Sequence, residues 1–331
     1  MNMSSFGKNT FYSTIEMSEP ATERQEHLDC VHGLMILCVM LYHVYDVTCK
    51  PLYYILLFPL SFRIAWFFFK GGMFFKERSI KDVLFSGFKK LVVPAVFFNI
   101  IGFICYVIVD HPQFIIIDEL DFLYVFGSLH GDTPLWFLLS FFATQIIYTL
   151  LHKLHINPCI IAIIAIGLFF TNRLIGFRPY WTYNIPIGLL FYSFGAIFKE
   201  LQYKKTVVFI SIIIYSSLLF INKELYFYFA KFHPFLVAIP WALAGCILIN
   251  AIFRSYQIIC ISPLKFLGRY SMEFYCTHFI IINLIEAYIR NNTLPISDMA
   301  FRSIIFALYC LTLTLILNFF KLKHIKWVFG R

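Results

Sequence analysis

Two histidines eleven positions apart, His32 and His43, sit in the segment HLDCVHGLMILCVMLYH (27–43), which is nearly all apolar from Cys30 onward. Imidazole is the side chain whose charge changes nearest neutral pH, so it serves as general base, nucleophile or metal ligand. On a helix, this spacing is three turns plus about 20°, so both rings share one face, about 16 Å apart along the axis. Asp29 and Asp46 stand three residues outside them, near the same stripe. A polar seam therefore runs along one side of a lipid-length helix. Each ring has a bland alternative, a hydrogen bond to a neighbouring helix. Ionisable groups inside a span are costly and are functional by default. That argument is stronger for His43 than for His32, which falls near headgroup level.

Arg63, in PLYYILLFPLSFRIAWFFFK, is the second anomaly. Arginine keeps its charge, so it must face a carboxylate, a phosphate or a polar cavity. Its separation from Lys70, about 10 Å on helix geometry, places it inside the bundle rather than at an interface. The third cluster is GRYSMEFYCTHFIIINLIEAYI, with Ser271 and His278 on one face and Glu286 bordering it. Ser271 and His278 are two turns apart, about 10 Å, too far for a direct nucleophile–base contact. GxSxG, HExxH, GxxxxGK[ST] and GxGxxG are absent, and the nine cysteines follow no metal-ligand spacing.

The elements that must position these groups are membrane helices. Of the 331 residues, 60% are hydrophobic and only 14% charged, and mean hydropathy is +0.77. A soluble domain is about a quarter charged, which excludes that class here. Long apolar runs predict an all-α, polytopic transmembrane bundle of ten spans. They fall at about 30–48, 52–69, 91–109, 134–151, 159–172, 184–198, 206–221, 233–253, 270–289 and 301–320. Residues 1–29 read as a cytoplasmic tail, 30–320 as the membrane domain and 321–331 as a basic cytoplasmic tail. Most of the 27 Lys and Arg fall on one side if both termini are cytoplasmic. This bias accounts for the +9 net charge without nucleic acid. The basic connection 70–90 is expected to form an amphipathic helix at the inner interface. The connection 110–133 lies outside, with five carboxylates and no Lys or Arg.

The order of the motifs resembles acyltransferase family 3, integral-membrane O-acyltransferases that modify surface glycans. LDCVHGLMILCVMLYH matches its first-span pattern with Asp29, Gly33 and His43 in register. WFFFKGGMFF, GFKKLVVP with Lys89, Lys90 and Pro94, PLWFLLSFF with Trp136, and GRYSMEFYCTH with Gly268, Ser271, Tyr275 and His278 follow in order. His32 departs from the usual Arg or Lys, and Gly87 stands where an Arg often precedes the second basic residue.

The resemblance implies acyl-CoA, by default acetyl-CoA, as a cytoplasmic co-substrate with no resident cofactor or metal. The acceptor it implies is a hydroxyl of a glycan or lipid-linked oligosaccharide at the cell membrane. On that reading His43 is the general base or transient acyl carrier and Asp46 orients it. His32, Arg63, Lys70, Lys89 and Lys90 attract the donor's phosphates. Asp29, Trp136, Ser271, His278 and Glu286 line the acceptor path. Intramembrane charges suit two rivals as well: a transporter or flippase for lipid-linked sugars, or an inactive relative acting as a membrane partner.

Overall fold

The computed structural model describes residues 25–45, 53–110, 116–176, 179–221, 224–226, 231–233, 235–292, 297–319 and 326–329. Asp46, most of the 1–29 tail and most of the 321–331 tail lie outside the described residues. In chain order the helices are α1 (Glu26–Tyr45), α2 (Arg63–Met73), α3 (Ile80–Gly87), α4 (Val93–Asp110), α5 (Ile116–Phe126) and α6 (Trp136–Lys153). There follow α7 (Pro158–Ile175), α8 (Asn184–Phe198), α9 (Lys205–Leu219), α10 (Phe235–Ser255), α11 (Ser262–Arg269), α12 (Ser271–Asn291) and α13 (Asp298–Phe319). Between α9 and α10 two short strands, Glu224–Tyr226 and Lys231–His233, pair antiparallel.

Among the described residues, six stretches are long and apolar enough to cross a membrane: Glu26–Tyr45, Ile80–Val109, Thr133–Lys153, Pro158–Ile175, Val237–Ser255 and Asp298–Asn318. Each of the other four expected segments also holds helix. Arg63–Met73 has 11 residues, and Asn184–Phe198 and Lys205–Leu219 have 15 each, all shorter than a full crossing. Ser271–Asn291 is long enough at 21 residues but carries Glu273, Glu286 and Arg290. The structure thus gives a helical membrane protein with six full-length apolar stretches.

The basic connection is not one interfacial helix. The Ser79 side chain caps α3 by accepting from the Asp82 amide at 3.0 Å. A π turn at Phe88–Val92 then carries the chain into α4. Pro94, just beyond, has no N–H to give the carbonyl four residues back, and a wider turn absorbs that loss. At α7 the Asn157 side chain caps the start, and Gly176, at φ 65°, closes the end in a left-handed turn.

The helix α1 is central. Most of it is buried, whereas α7 and α13 are mostly exposed and form the outer wall. It packs on α2, α10, α11 and α12, while α8 packs on α2, α6 and α7. Two reciprocal glycine contacts set the closest approaches. A methyl on Gly33 would overlap the Leu264 carbonyl, and one on Gly268 would overlap the Asp29 carbonyl. Gly72 and Gly195 meet the Tyr192 and Phe69 carbonyls in the same way. Backbones this close pack by dispersion, the force that remains where lipid removes the hydrophobic one. Trp66, Phe62, Phe68, Phe69, Phe191 and Trp241 fill the core around them.

Candidate active site

Near the start of α1, the Lys70 ammonium donates to Nδ1 of His32 at 2.8 Å. An ammonium has only donors, so His32 presents a lone pair there and is not the cation of the pair. The positive charge belongs to Lys70, which lies 5.3 Å from the Trp66 ring centroid, a cation–π distance. His32 packs edge-on against Phe67 at 5.2 Å. Trp66 is itself held, its indole N–H donating to Asn250 Oδ1 at 2.8 Å. The Asn250 amide continues to Gln202 Oε1 at 2.9 Å, all within the buried core. Sequence reasoning missed Asn250 and Gln202; an amide in an apolar run is the signal for Asn250, whereas Gln202 stands in the polar stretch KELQYKK and gives none.

His32 and Lys70 border a cavity of about 290 Å³ whose wall also includes Ser271, Tyr275 and Phe137. A second cavity of about 350 Å³ adjoins it and shares Leu91, Phe141 and Met272. The second carries Arg78, Lys90 and Gln145. Arg78 was not singled out from sequence, though it lies in the basic 70–90 stretch. Lys89 is exposed and borders neither cavity. Gly87 is a packing residue, since a methyl there would meet the Phe142 ring.

One turn beyond Tyr275 on α12 lies His278, fully buried. Its Nδ1 donates to the Tyr275 carbonyl at 2.6 Å, because a carbonyl can only accept. Nε2 therefore carries a lone pair, and it has no partner among the described residues. The His43 ring lies 5.5 Å from it, centroid to centroid, with Phe279 closing the other side at 5.1 Å. His43 is two turns along α1 from Ile36, which borders the first cavity. Arg63 is buried, stacks over Tyr42 at 4.5 Å and interacts electrostatically with His43. The structure thus places Arg63 at the deep end with His43, not with Lys70, Arg78 and Lys90. The hydroxyl of Tyr275 donates to the Pro134 carbonyl, tying the start of α6 to α12.

The Lys70 cavity, its neighbour with Arg78 and Lys90, and a paired imidazole site that borders neither cavity thus lie in series along α1 and α12. Residues 26–320, nearly the whole chain, match the family model described as an acyltransferase domain. The chain belongs to acyltransferase family 3. No curated protein and no solved structure matches it.

The acyltransferase does not gather every residue expected at its site. Asp29 faces Arg269 at 3.9 Å, beside the Gly33–Gly268 contact. Glu286 is taken by Arg302 in a two-pronged pair, with Nη2 donating to Oε2 at 2.8 Å. Trp136 is buried at the first turn of α6 against Phe137, inside the bundle rather than on an outer face. Ser271 borders the first cavity but, as its spacing requires, stands two turns from His278.

Proposed function

We propose that this acyltransferase moves an acyl group from acyl-CoA, acetyl by default and succinyl as the variant, to a hydroxyl of a cell-surface or lipid-linked glycan. The observation that carries the reading is the His43–His278 pair, two turns along α1 from Ile36 and one turn along α12 from Tyr275, both of which border the cavity of Lys70, with Arg78 and Lys90 on the adjoining cavity. The donor's phosphates sit at the cationic mouth, and its pantetheine arm threads the apolar cavity past Tyr275. His43 takes the proton of the acceptor hydroxyl as its oxygen attacks the thioester carbonyl. The carbon–sulfur bond breaks, the ester forms, and the proton passes from His43 to the departing thiolate. With the substrates bound, the His43 ring turns to donate from its second nitrogen to the lone pair of His278 Nε2, unpartnered among the described residues, and this fixes the tautomer in which the first nitrogen is basic. Ten spans with both termini cytoplasmic would put the mouth inside and the acceptor outside.

The test uses full-length purified protein with labelled acetyl-CoA. Wild type should release CoA and, with acceptor glycan, yield the ester. His43→Ala should insert normally and lose the transfer by a factor of about 10² to 10⁴. Normal transfer in that variant would refute the assignment.

A further inference from the structure

A third cavity, of about 820 Å³, opens between α9 and α10 and shares no bordering residue with the two cavities of the active site. Two exposed cations stand at one end of it, Lys205 in the first turn of α9 and Arg254 in the last turn of α10. The Arg254 guanidinium lies over the Tyr203 ring at 4.0 Å, and the Tyr203 hydroxyl is hydrogen-bonded to His27 Nε2 at 3.1 Å. Those contacts fix the cationic end at the level where α1 begins, the same end of the bundle as Lys70. Away from the cations the walls turn wholly apolar. Phe209 and Ile212, one and two turns along α9, face the groove together with Ile252 of α10. All three are exposed in a protein whose apolar exterior faces lipid.

The lining therefore changes from charged to apolar along the helix axes. A free nucleotide or inorganic phosphate would leave the apolar walls unmatched, and a neutral lipid would leave the cations unmatched. We infer that the α9–α10 groove seats an anionic phospholipid, its phosphate between Lys205 and Arg254 and its acyl chains along Phe209, Ile212 and Ile252. Lys199 and Lys204 in the preceding turn outnumber Glu200 and add to the local attraction. Arginine supplies a planar fork for phosphate oxygens, and lysine a point charge beside it. The volume lies within the range of clefts that enclose a drug-sized ligand.

The experiment is native mass spectrometry of the full-length protein in neutral-detergent micelles. Phosphatidylglycerol is titrated against phosphatidylcholine, with inorganic phosphate as a third arm. Wild type should retain phosphatidylglycerol in preference to the other two. Lys205→Gln with Arg254→Gln should weaken that retention roughly tenfold to thirtyfold, both side chains being exposed. Lys153→Gln, a cation elsewhere on the surface, should change nothing. Val208→Trp keeps both charges but fills the groove, and should also expel the lipid. The inference is overturned if the charge variant retains phosphatidylglycerol as wild type does, or if phosphatidylcholine is held equally well. It is also overturned if Val208→Trp leaves binding intact, since attraction would then be to surface charge alone.

Discussion

Lys70→Met is the perturbation that tests how the donor is gripped. The ammonium spends one of its donors on His32 at 2.8 Å, stands over Trp66 and borders the 290 Å³ cavity. Methionine keeps the length and the apolar stem but removes the charge. A hydrogen bond to a charged group is worth about 1.5–3 kcal/mol, which converts to roughly a 10- to 150-fold rise in the donor's KM. The maximal rate should change little, because His43 sits three turns along α1 from His32, the partner of Lys70. The assay is CoA release from acetyl-CoA, run beside acetyl-pantetheine, which has the same thioester without the nucleotide phosphates. The rise in KM should appear only with acetyl-CoA, and Lys70→Arg should restore part of it. An unchanged KM for acetyl-CoA would refute the reasoning. So would an equal loss with both thioesters, because it would trace to a distorted cavity rather than to a missing charge.

His278→Gln should lower the maximal rate by one to two orders of magnitude with donor KM unchanged, and should move the pH–rate profile, since the tautomer of His43 would lose its support. A merely structural histidine would leave the profile where it is. Asn250→Leu strands the Trp66 indole N–H and the Gln202 carbonyl in the core. It should cost about 1–3 kcal/mol of stability by thermal unfolding and raise donor KM severalfold as Trp66 releases Lys70. Gly33→Ala sets a methyl against the Leu264 carbonyl. Overpacking of that kind costs about 1–3 kcal/mol, so the variant should show a lowered melting temperature and reduced yield, with transfer per folded molecule also falling.

Periodicity located the helices well because lipid demands long apolar runs, and each expected segment holds one. What the apolar runs did not separate were the six full-length stretches from the shorter or charged helices. Of the charges in Ser271–Asn291, Glu273 is buried and Glu286 is paired with Arg302, and the short Arg63–Met73 is largely buried; a single-helix reading cannot see such neighbours. The seam on α1 was legible for the same local reason: His32 and His43 do share a face. Partners distant in sequence were not legible. Lys70 is 38 residues from His32, and Arg269 is far along the chain from Asp29. Arg63 was rightly placed inside the bundle, but its level beside His43 depends on how α2 docks on α1. Glu286 illustrates a further limit. It was expected to border the face of His278, but it is exposed where His278 is buried, and Arg302 on the next helix claims its carboxylate. Gly33 and Gly268 have no chemistry of their own, and only the approach of two backbones shows why no larger residue fits.

That approach has a bearing on catalysis at a distance. Asp29 with Gly33 on α1, and Leu264 with Gly268 on α11, interlock four residues apart on both helices, like teeth that mesh in one notch. Slipping by a single residue would raise α1 about 1.5 Å and turn it about 100°, swinging the imidazole of His43 out of line with that of His278. The alignment of two reacting rings is thus metered by a side-chain-free clasp more than two turns below them, on a helix of eight residues too short to cross a bilayer itself.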